Sequence, residues 1–496
     1  MTAVDGTIFF LPGLGFGAAA AEPIADALGD RFRVVGIDLP GQGQAPDAPD
    51  ATVGAMVDAA LTRIETESDG GPWLLVAHSM GGKVGALLAA RVLSGRANVS
   101  GLAGAVLLAP SPPTPEPMDD DKRSEMLGWA QHGSLSETDA RTFLDQNVAS
   151  PLGDTREQDA LAQVQSTSPL SWRRWLETGS REDVSATVGV LDLPVVVLAG
   201  EDDADLGAAA QPQLLSAVYP RARFVPFPGT GHLLPYERPD EVAAEIVRLW
   251  NETVLVSPGL SPEWGRLIAS DRTPVETRGL LAWRALADHP DYQSTALSLA
   301  QLEMLRALAD LLVPQTDGRR IDLAARIDAD LASGSGDGWR PAGLPDDVSA
   351  YRRGLDAIAR AWPDSAADRE HLIRRILEGE PIGGGGGADT GTGTGAGTDS
   401  DQMKRWFEDL RTDLARTWVA HPATMARLGF DGFATSGAVA EPGYVNLGAG
   451  VRDPWEPAGL GRLETEDAFA AEESVAADQA VAADRAVAAE ESEESA

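Results

Sequence analysis

Cysteine is absent from the 496 residues. That excludes disulfide frameworks, thiol nucleophiles and cysteine-ligated zinc or iron–sulfur sites. Positive charge is scarce: 40 basic side chains, only three of them lysine, face 76 acidic ones, for a formal charge of -36. Such a field repels nucleic acid and anionic lipid, so neither class of partner is expected. Long apolar runs are missing too, and none approaches the roughly 18 residues needed to span a bilayer. The first residues hold no basic region, twin-arginine pair or cleavage signal, so a soluble cytoplasmic protein is expected. No His/Asp/Glu cluster has metal spacing, and Asp119-Asp120-Asp121 reads as a solvated acidic turn. Neither a metal nor a cofactor is expected.

What is present is ordinary globular material, 43% hydrophobic and 23% charged, long enough for two to four domains. In the first 250 residues short apolar runs alternate with alanine-rich amphipathic segments such as Ala20–Leu28 and Lys83–Leu93. The runs are Ile8–Leu11, Arg33–Ile37, Trp73–Ala77, Ala105–Ala109, Val195–Ala199 and Arg223–Phe227. That alternation predicts a parallel sheet of about six strands covered by helices on both faces. An Asp/Glu- and Trp-containing stretch at 113–187 interrupts it and is read as a helical lid.

The most informative segment is Trp73-Leu-Leu-Val-Ala-His78-Ser79-Met80-Gly81-Gly82-Lys83. A strand runs into a serine with small residues two positions either side, then into a helix. A sharp turn of that kind projects the hydroxyl above the sheet, and only small flanking residues avoid collision. Here they are Ala77 and Gly81, an alanine replacing the usual first glycine. A serine hydroxyl needs a base to take its proton. Of six histidines, His232 follows the strand Arg223–Phe227 in Pro228-Gly-Thr-Gly-His232, where α/β sheets assemble their sites. His132, His289, His371 and His421 lack such a setting and are read as surface or capping residues. A carboxylate follows the preceding strand in Gly200-Glu-Asp-Asp203-Ala-Asp205, with Asp202, Asp203 and Asp205 all available.

With Phe10-Leu-Pro-Gly13-Leu-Gly15 and Asp38-Leu-Pro-Gly41-Gln-Gly43, these pieces make residues 1–252 resemble the α/β-hydrolase superfamily. The resemblance implies Ser79 as nucleophile, His232 as base and Asp203 as acid, with Asp202 and Asp205 as rivals. It implies an oxyanion hole from the backbone N–H groups of Leu14 and Met80. Two departures stand out. Pro12 replaces the histidine usual before the oxyanion-loop glycine, and the antiparallel strand pair that commonly precedes this loop is expected to be missing. An esterase or lactonase with an apolar acyl pocket lined from the lid, by Trp172 and Trp175, is the implied activity.

After a connecting segment, 253–293, the pattern turns helical. Leu299, Leu302, Leu305, Leu308 and Leu312 are read as one face of a helix, and helices are predicted at Asp322–Leu331, Val348–Ala361, Arg369–Leu377 and Met403–Thr417. A glycine-rich insertion at 382–401 reads as a flexible linker. The stretch from Trp418 through Glu441-Pro-Gly-Tyr and Asp453-Pro-Trp-Glu456 is dense in glycine and aromatics, implying an irregular packed loop, either an interface or a plain structural cluster. Residues 294–458 resemble the small subunit, subunit 3, of flavin-dependent gluconate 2-dehydrogenase. That resemblance implies a fusion protein whose second module carries no cofactor and binds a flavoprotein dehydrogenase; the alternative is a wholly non-catalytic assembly or partner subunit. From Leu463 onward there are eleven Asp/Glu and one Arg, so the 459–496 tail is read as acidic, solvated low-complexity chain.

Overall fold

The computed structural model describes residues 4–48, 52–316, 318–334, 343–382 and 400–431. Six strands, β1 (Gly6–Leu11), β2 (Phe32–Gly36), β3 (Trp73–His78), β4 (Leu102–Leu108), β5 (Val195–Gly200) and β6 (Ala222–Phe227), form one sheet. Its order is β2-β1-β3-β4-β5-β6 and every pairing is parallel. The inner strands β3 and β5 are buried at every position, whereas the edge strand β6 is only half-buried along most of its length. That gradient explains the composition: Trp73-Leu-Leu-Val-Ala and Val195-Val-Val-Leu-Ala have helices on both faces and no alternation.

Parallel strands need crossovers, supplied by α1 (Glu22–Leu28), α2 (Val53–Glu67) and α3 (Met80–Leu93). Between β4 and β5 the chain makes the lid, from α4 (Asp120–Trp129) through α5 (Glu137–Asn147), α6 (Asp154–Ser166) and α7 (Pro169–Glu177) to α8 (Ser185–Val188). Asp119 caps α4, accepting from the N–H groups of Asp121 and Lys122, so the acidic turn is a helix start. Then come α9 (Gln211–Leu215), α10 (Leu234–Glu237) and α11 (Pro239–Thr253).

The segment 253–293 carries two helices, α12 (Pro262–Ala269) and α13 (Val275–Ala285); α13 is seated on α3, and α12 packs on α13 and on the turn at Gly70. Arg278, 5% exposed, holds them there. Its guanidinium donates to the carbonyls of Gly95 and Ala97 on one side and of Ile268, Ser270 and Thr273 on the other. Ser100 Oγ donates to the Gly265 carbonyl at 2.8 Å.

Beyond them lie α14 (Leu299–Leu312), α15 (Leu323–Ser333), α16 (Asp347–Ala361), α17 (Ala366–Glu378), α18 (Ser400–Val419) and α19 (Pro422–Arg427). A second hydrophobic core, from Leu302 and Leu305 to Trp406 and Phe407, joins α14–α18. Buried Asp328 accepts the N–H groups of Thr295, Ala296 and Leu297 and the Tyr292 hydroxyl, fixing the entry to α14. Leu299 corrects the expected leucine face: it is 68% exposed, while Leu302, Leu305 and Leu308 are buried. A three-residue step falls about 60° short of a full turn, so the row drifts around the helix and its first member leaves the core. His421 is buried; its Nδ1 accepts the N–H of Ala423 and caps α19. Most of the glycine-rich insertion, the stretch from Gly432 with its aromatic motifs, and the acidic tail lie outside the described residues. Among the described residues no helix is long and apolar enough to cross a membrane.

Candidate active site

Ser79 stands where β3 ends and α3 begins, with φ 51 and ψ -119. That is sterically unfavourable for a side chain and is typical of strain held at a functional turn. The tightness is measurable next door: a Cβ at Gly81 would lie 2.6 Å from the Leu11 carbonyl oxygen and 2.8 Å from that of Pro12. Only glycine lets β1 and α3 approach so closely. Ala77 lies fully buried in β3, so the alanine at the first small position is accommodated.

His232 Nε2 lies 2.8 Å from Ser79 Oγ, and His232 Nδ1 lies 2.6 Å from Asp203 Oδ2. Asp203 Oδ1 accepts the N–H groups of Asp205 and Leu206, which fixes the carboxylate on the imidazole. The rivals go elsewhere. Asp205 pairs with Lys122, and Asp202 is exposed with its N–H on the Thr230 carbonyl. The lid anchors the histidine loop, because the Asn147 carbonyl at the end of α5 accepts the N–H groups of His232 and Leu233. Burial acts to lower the His232 pKa, but the charge and hydrogen bond of Asp203, with the charge of Glu116, leave it raised. Burial acts to raise that of Asp203, and the His232 charge, its hydrogen bond and the two N–H donors bring it down to about 2. The pair therefore favours an imidazolium beside a carboxylate, the charge state in which a proton has been taken from serine.

The N–H groups of Leu14 and Met80 donate no hydrogen bond to another described residue. Leu14 and Ser79 line one cavity of about 510 Å³, open to solvent. Asp38 supports this loop by accepting the N–H groups of Ala18 and Gln44, which gives the Asp38-Leu-Pro-Gly41 motif a physical role. The rest of the wall is mixed: Phe16, Met118, Met126, Phe143, Trp175, Leu206 and Leu233 stand beside His78, Glu116, Lys122, Asn147, Asp205 and His232. Trp175 lies where the sequence placed it. Trp172 does not line the cavity; it is fully buried in the lid, its Nε1 donating to the Met126 carbonyl and its ring packed against Phe143.

Three further residues escaped the sequence reading. His78 is fully buried, and burial followed by the nearby His232 pushes its pKa down to about 3, so it is neutral. Its Nε2–H donates to the His232 carbonyl at 2.9 Å. Lys83 is fully buried, and burial brings its pKa down to about 8 although Glu116 and Glu182 oppose the shift. Its ammonium donates to the carbonyls of Gly179, Ser180 and Glu182, tying the lid to α3. Glu116 lines the cavity itself. A basic residue two after a Gly-Gly helix start and a glutamate between prolines carry no spacing signal, so neither was legible.

A larger cavity, about 810 Å³, lies at the N-terminal ends of β3 and β4, opposite Ser79. It is walled by Pro72, Val92, Leu102, Ile268 and Leu281, with Ser100 and His421 also on its lining. Among the described residues no group of three or more His, Cys, Asp or Glu side chains could hold a metal ion.

The six-stranded parallel sheet with its flanking helices gives the N-terminal half the α/β-hydrolase fold. Residues 8–245 match the model of the alpha/beta hydrolase family. Among solved structures the chain is similar to a thermophilic esterase from Thermogutta terrifontis, with 21% identity, a TM-score of 0.40, and coverage of 50% of this chain and 90% of that one. An esterase from Exiguobacterium antarcticum (13% identity, TM-score 0.43, 49% and 91% covered) is also similar. So is a bromoperoxidase from Bacillus anthracis (16%, TM-score 0.43, 50% and 92%). No curated protein matches the chain.

Proposed function

We propose that the N-terminal half is a serine hydrolase that transfers the acyl group of a carboxylic ester, thioester or lactone to water. The observation that carries this reading is the unbroken hydrogen-bonded row from Asp203 through His232 to Ser79 Oγ. In the first step His232 Nε2 takes the Ser79 proton while Oγ attacks the carbonyl carbon. The N–H groups of Leu14 and Met80 hold the resulting oxyanion. Collapse expels the alcohol, which receives the proton from His232. Water then attacks the acyl-serine with His232 again as base, and the acid leaves. The mixed wall, with Phe16, Phe143 and Trp175 beside Glu116, Lys122 and Asn147, suits a modest acyl group that carries a polar substituent.

The test is hydrolysis of p-nitrophenyl esters of graded acyl length beside aldonolactones, in the native chain, Ser79→Ala and His232→Ala. Activity lost in both variants supports the reading. A folded native protein inert on every substrate would shift weight to the non-catalytic partner reading. The motifs of 294–458 separately support association of the helical region with a flavin-dependent dehydrogenase, testable by co-purification with a glucose–methanol–choline type flavoprotein. A lactone released by such a partner would be a substrate for Ser79.

A further inference from the structure

Three charged residues outside the triad line the cavity; Lys122 and Asp205 pair with each other, and Glu116 has no cationic partner among the described residues. Its position is well determined. The Glu116 N–H donates to the Ser180 carbonyl at 2.7 Å, and its Oε2 accepts the Ser111 hydroxyl at 2.5 Å. Ser111 in turn donates its N–H to the carbonyl of Ser79 at 2.9 Å, so Glu116 is one residue removed from the nucleophile's own backbone. Its Oε1 accepts no hydrogen bond among the described residues and keeps accessible surface.

The neighbouring cations are committed elsewhere. Lys83 of α3 is spent on three lid carbonyls, Arg123 of α4 on the Leu176 carbonyl and Ser180 Oγ, and Lys122 on Asp205. None of them forms an ion pair with Glu116. A desolvated carboxyl with a single donor is costly unless something else satisfies it. Burial duly raises its pKa, against the Ser111 hydrogen bond and the charges of Lys83, His232 and Arg123.

We propose that Glu116 is the recognition carboxyl of this cavity: it selects acyl groups bearing a hydrogen-bond donor, hydroxyl or ammonium, near the scissile carbonyl, and rejects those bearing a carboxylate. The proposal rests on the serine-hydrolase reading for its kinetics, though not for binding. A donor on the substrate completes the coordination of Oε1, while a carboxylate there meets a like charge.

The experiment compares p-nitrophenyl butyrate, 3-hydroxybutyrate, 4-aminobutyrate and hemisuccinate on the native chain, Glu116→Gln and Glu116→Leu. The native chain is expected to prefer the aminobutyrate to the hemisuccinate in kcat/KM. Glu116→Gln keeps the shape and the Ser111 bond, and should shrink that ratio by about tenfold or more, the scale of a hydrogen bond to a charged acceptor. Preference for 3-hydroxybutyrate over butyrate should persist in part in Glu116→Gln, whose NH2 faces the cavity while its carbonyl stays on Ser111 and can donate to the hydroxyl, and vanish in Glu116→Leu. Because the Glu116 charge raises the His232 pKa, the acid limb of kcat/KM should also move to lower pH in Glu116→Gln. Ratios unchanged in the glutamine variant, or a native preference for the hemisuccinate, would overturn the proposal. Calorimetric binding of methyl 4-aminobutyrate and monomethyl succinate to Ser79→Ala, with and without Glu116→Gln, decides it without turnover. Discrimination there in a chain that hydrolyses nothing would sink the hydrolase reading and keep this one; equal binding of both ligands would sink this one.

Discussion

Replacing Asp203 by asparagine leaves the shape of the acid intact and removes what it does for His232. Oδ1 of the new side chain stays on the N–H groups of Asp205 and Leu206, which donate to Asp203 Oδ1 at 3.0 and 3.1 Å. The amide NH2 then faces His232 Nδ1, 2.6 Å from the present Oδ2, and two donors cannot share that contact. The imidazole escapes by carrying its proton on Nε2, the nitrogen 2.8 Å from Ser79 Oγ, where it can no longer accept the serine proton. The loss in kcat should be on the order of 10⁴-fold, the scale of a triad held in the wrong tautomer, with KM little changed. The charge has a second signature. Asp203 raises the His232 pKa, so in the residual activity the acid limb of the pH profile must move to lower pH. Stability should respond at acid pH. The Asp203 pKa falls from 3.8 to about 2 on folding, so its contribution is present above the unfolded value and lost as pH drops from 3.8 toward 2. At about 1.4 kcal/mol per unit this is about 2.5 kcal/mol, absent from the asparagine variant in acid urea titrations. A variant with native kcat and an unmoved acid limb would refute the assignment of the acid.

Other substitutions test the scaffold. Gly81→Val puts a branched side chain against the Leu11 and Pro12 carbonyls, so thermal scans should show a clear loss of Tm and esterase assays a loss of activity. Arg278→Met leaves five buried carbonyls without their donor and should cost about 3 kcal/mol or more by chemical denaturation. Asp328→Ala frees three N–H groups before α14 and should raise amide exchange in the helices packed on the second core, without changing the pH profile of hydrolysis.

The sheet was legible because its inner strands are buried on both faces, which leaves uninterrupted runs such as Val195-Val-Val-Leu-Ala that no other element explains as well. Ser79 was legible because it follows such a run, and His232 because it stands in the Gly-rich loop after the edge strand β6. Asp203 was not separable from Asp202 and Asp205 in the string, since all three follow β5; only the turn that aims two N–H groups at Asp203 Oδ1 distinguishes them. Trp172 and Trp175 illustrate the opposite limit. They stand three apart on α7, and a one-turn separation does not say which ring meets the cavity and which meets the lid's own interior. Glu116, Lys83 and His78 act through contacts with residues distant in the chain, and no local pattern marks such residues.

The central claim is that Ser79 is an activated nucleophile, and intact-mass analysis after treatment with a fluorophosphonate tests it most directly. The account predicts one adduct on the native chain, located at Ser79 and absent from Ser79→Ala and His232→Ala. A folded native protein that takes up no adduct, or one labelled equally without His232, would contradict it.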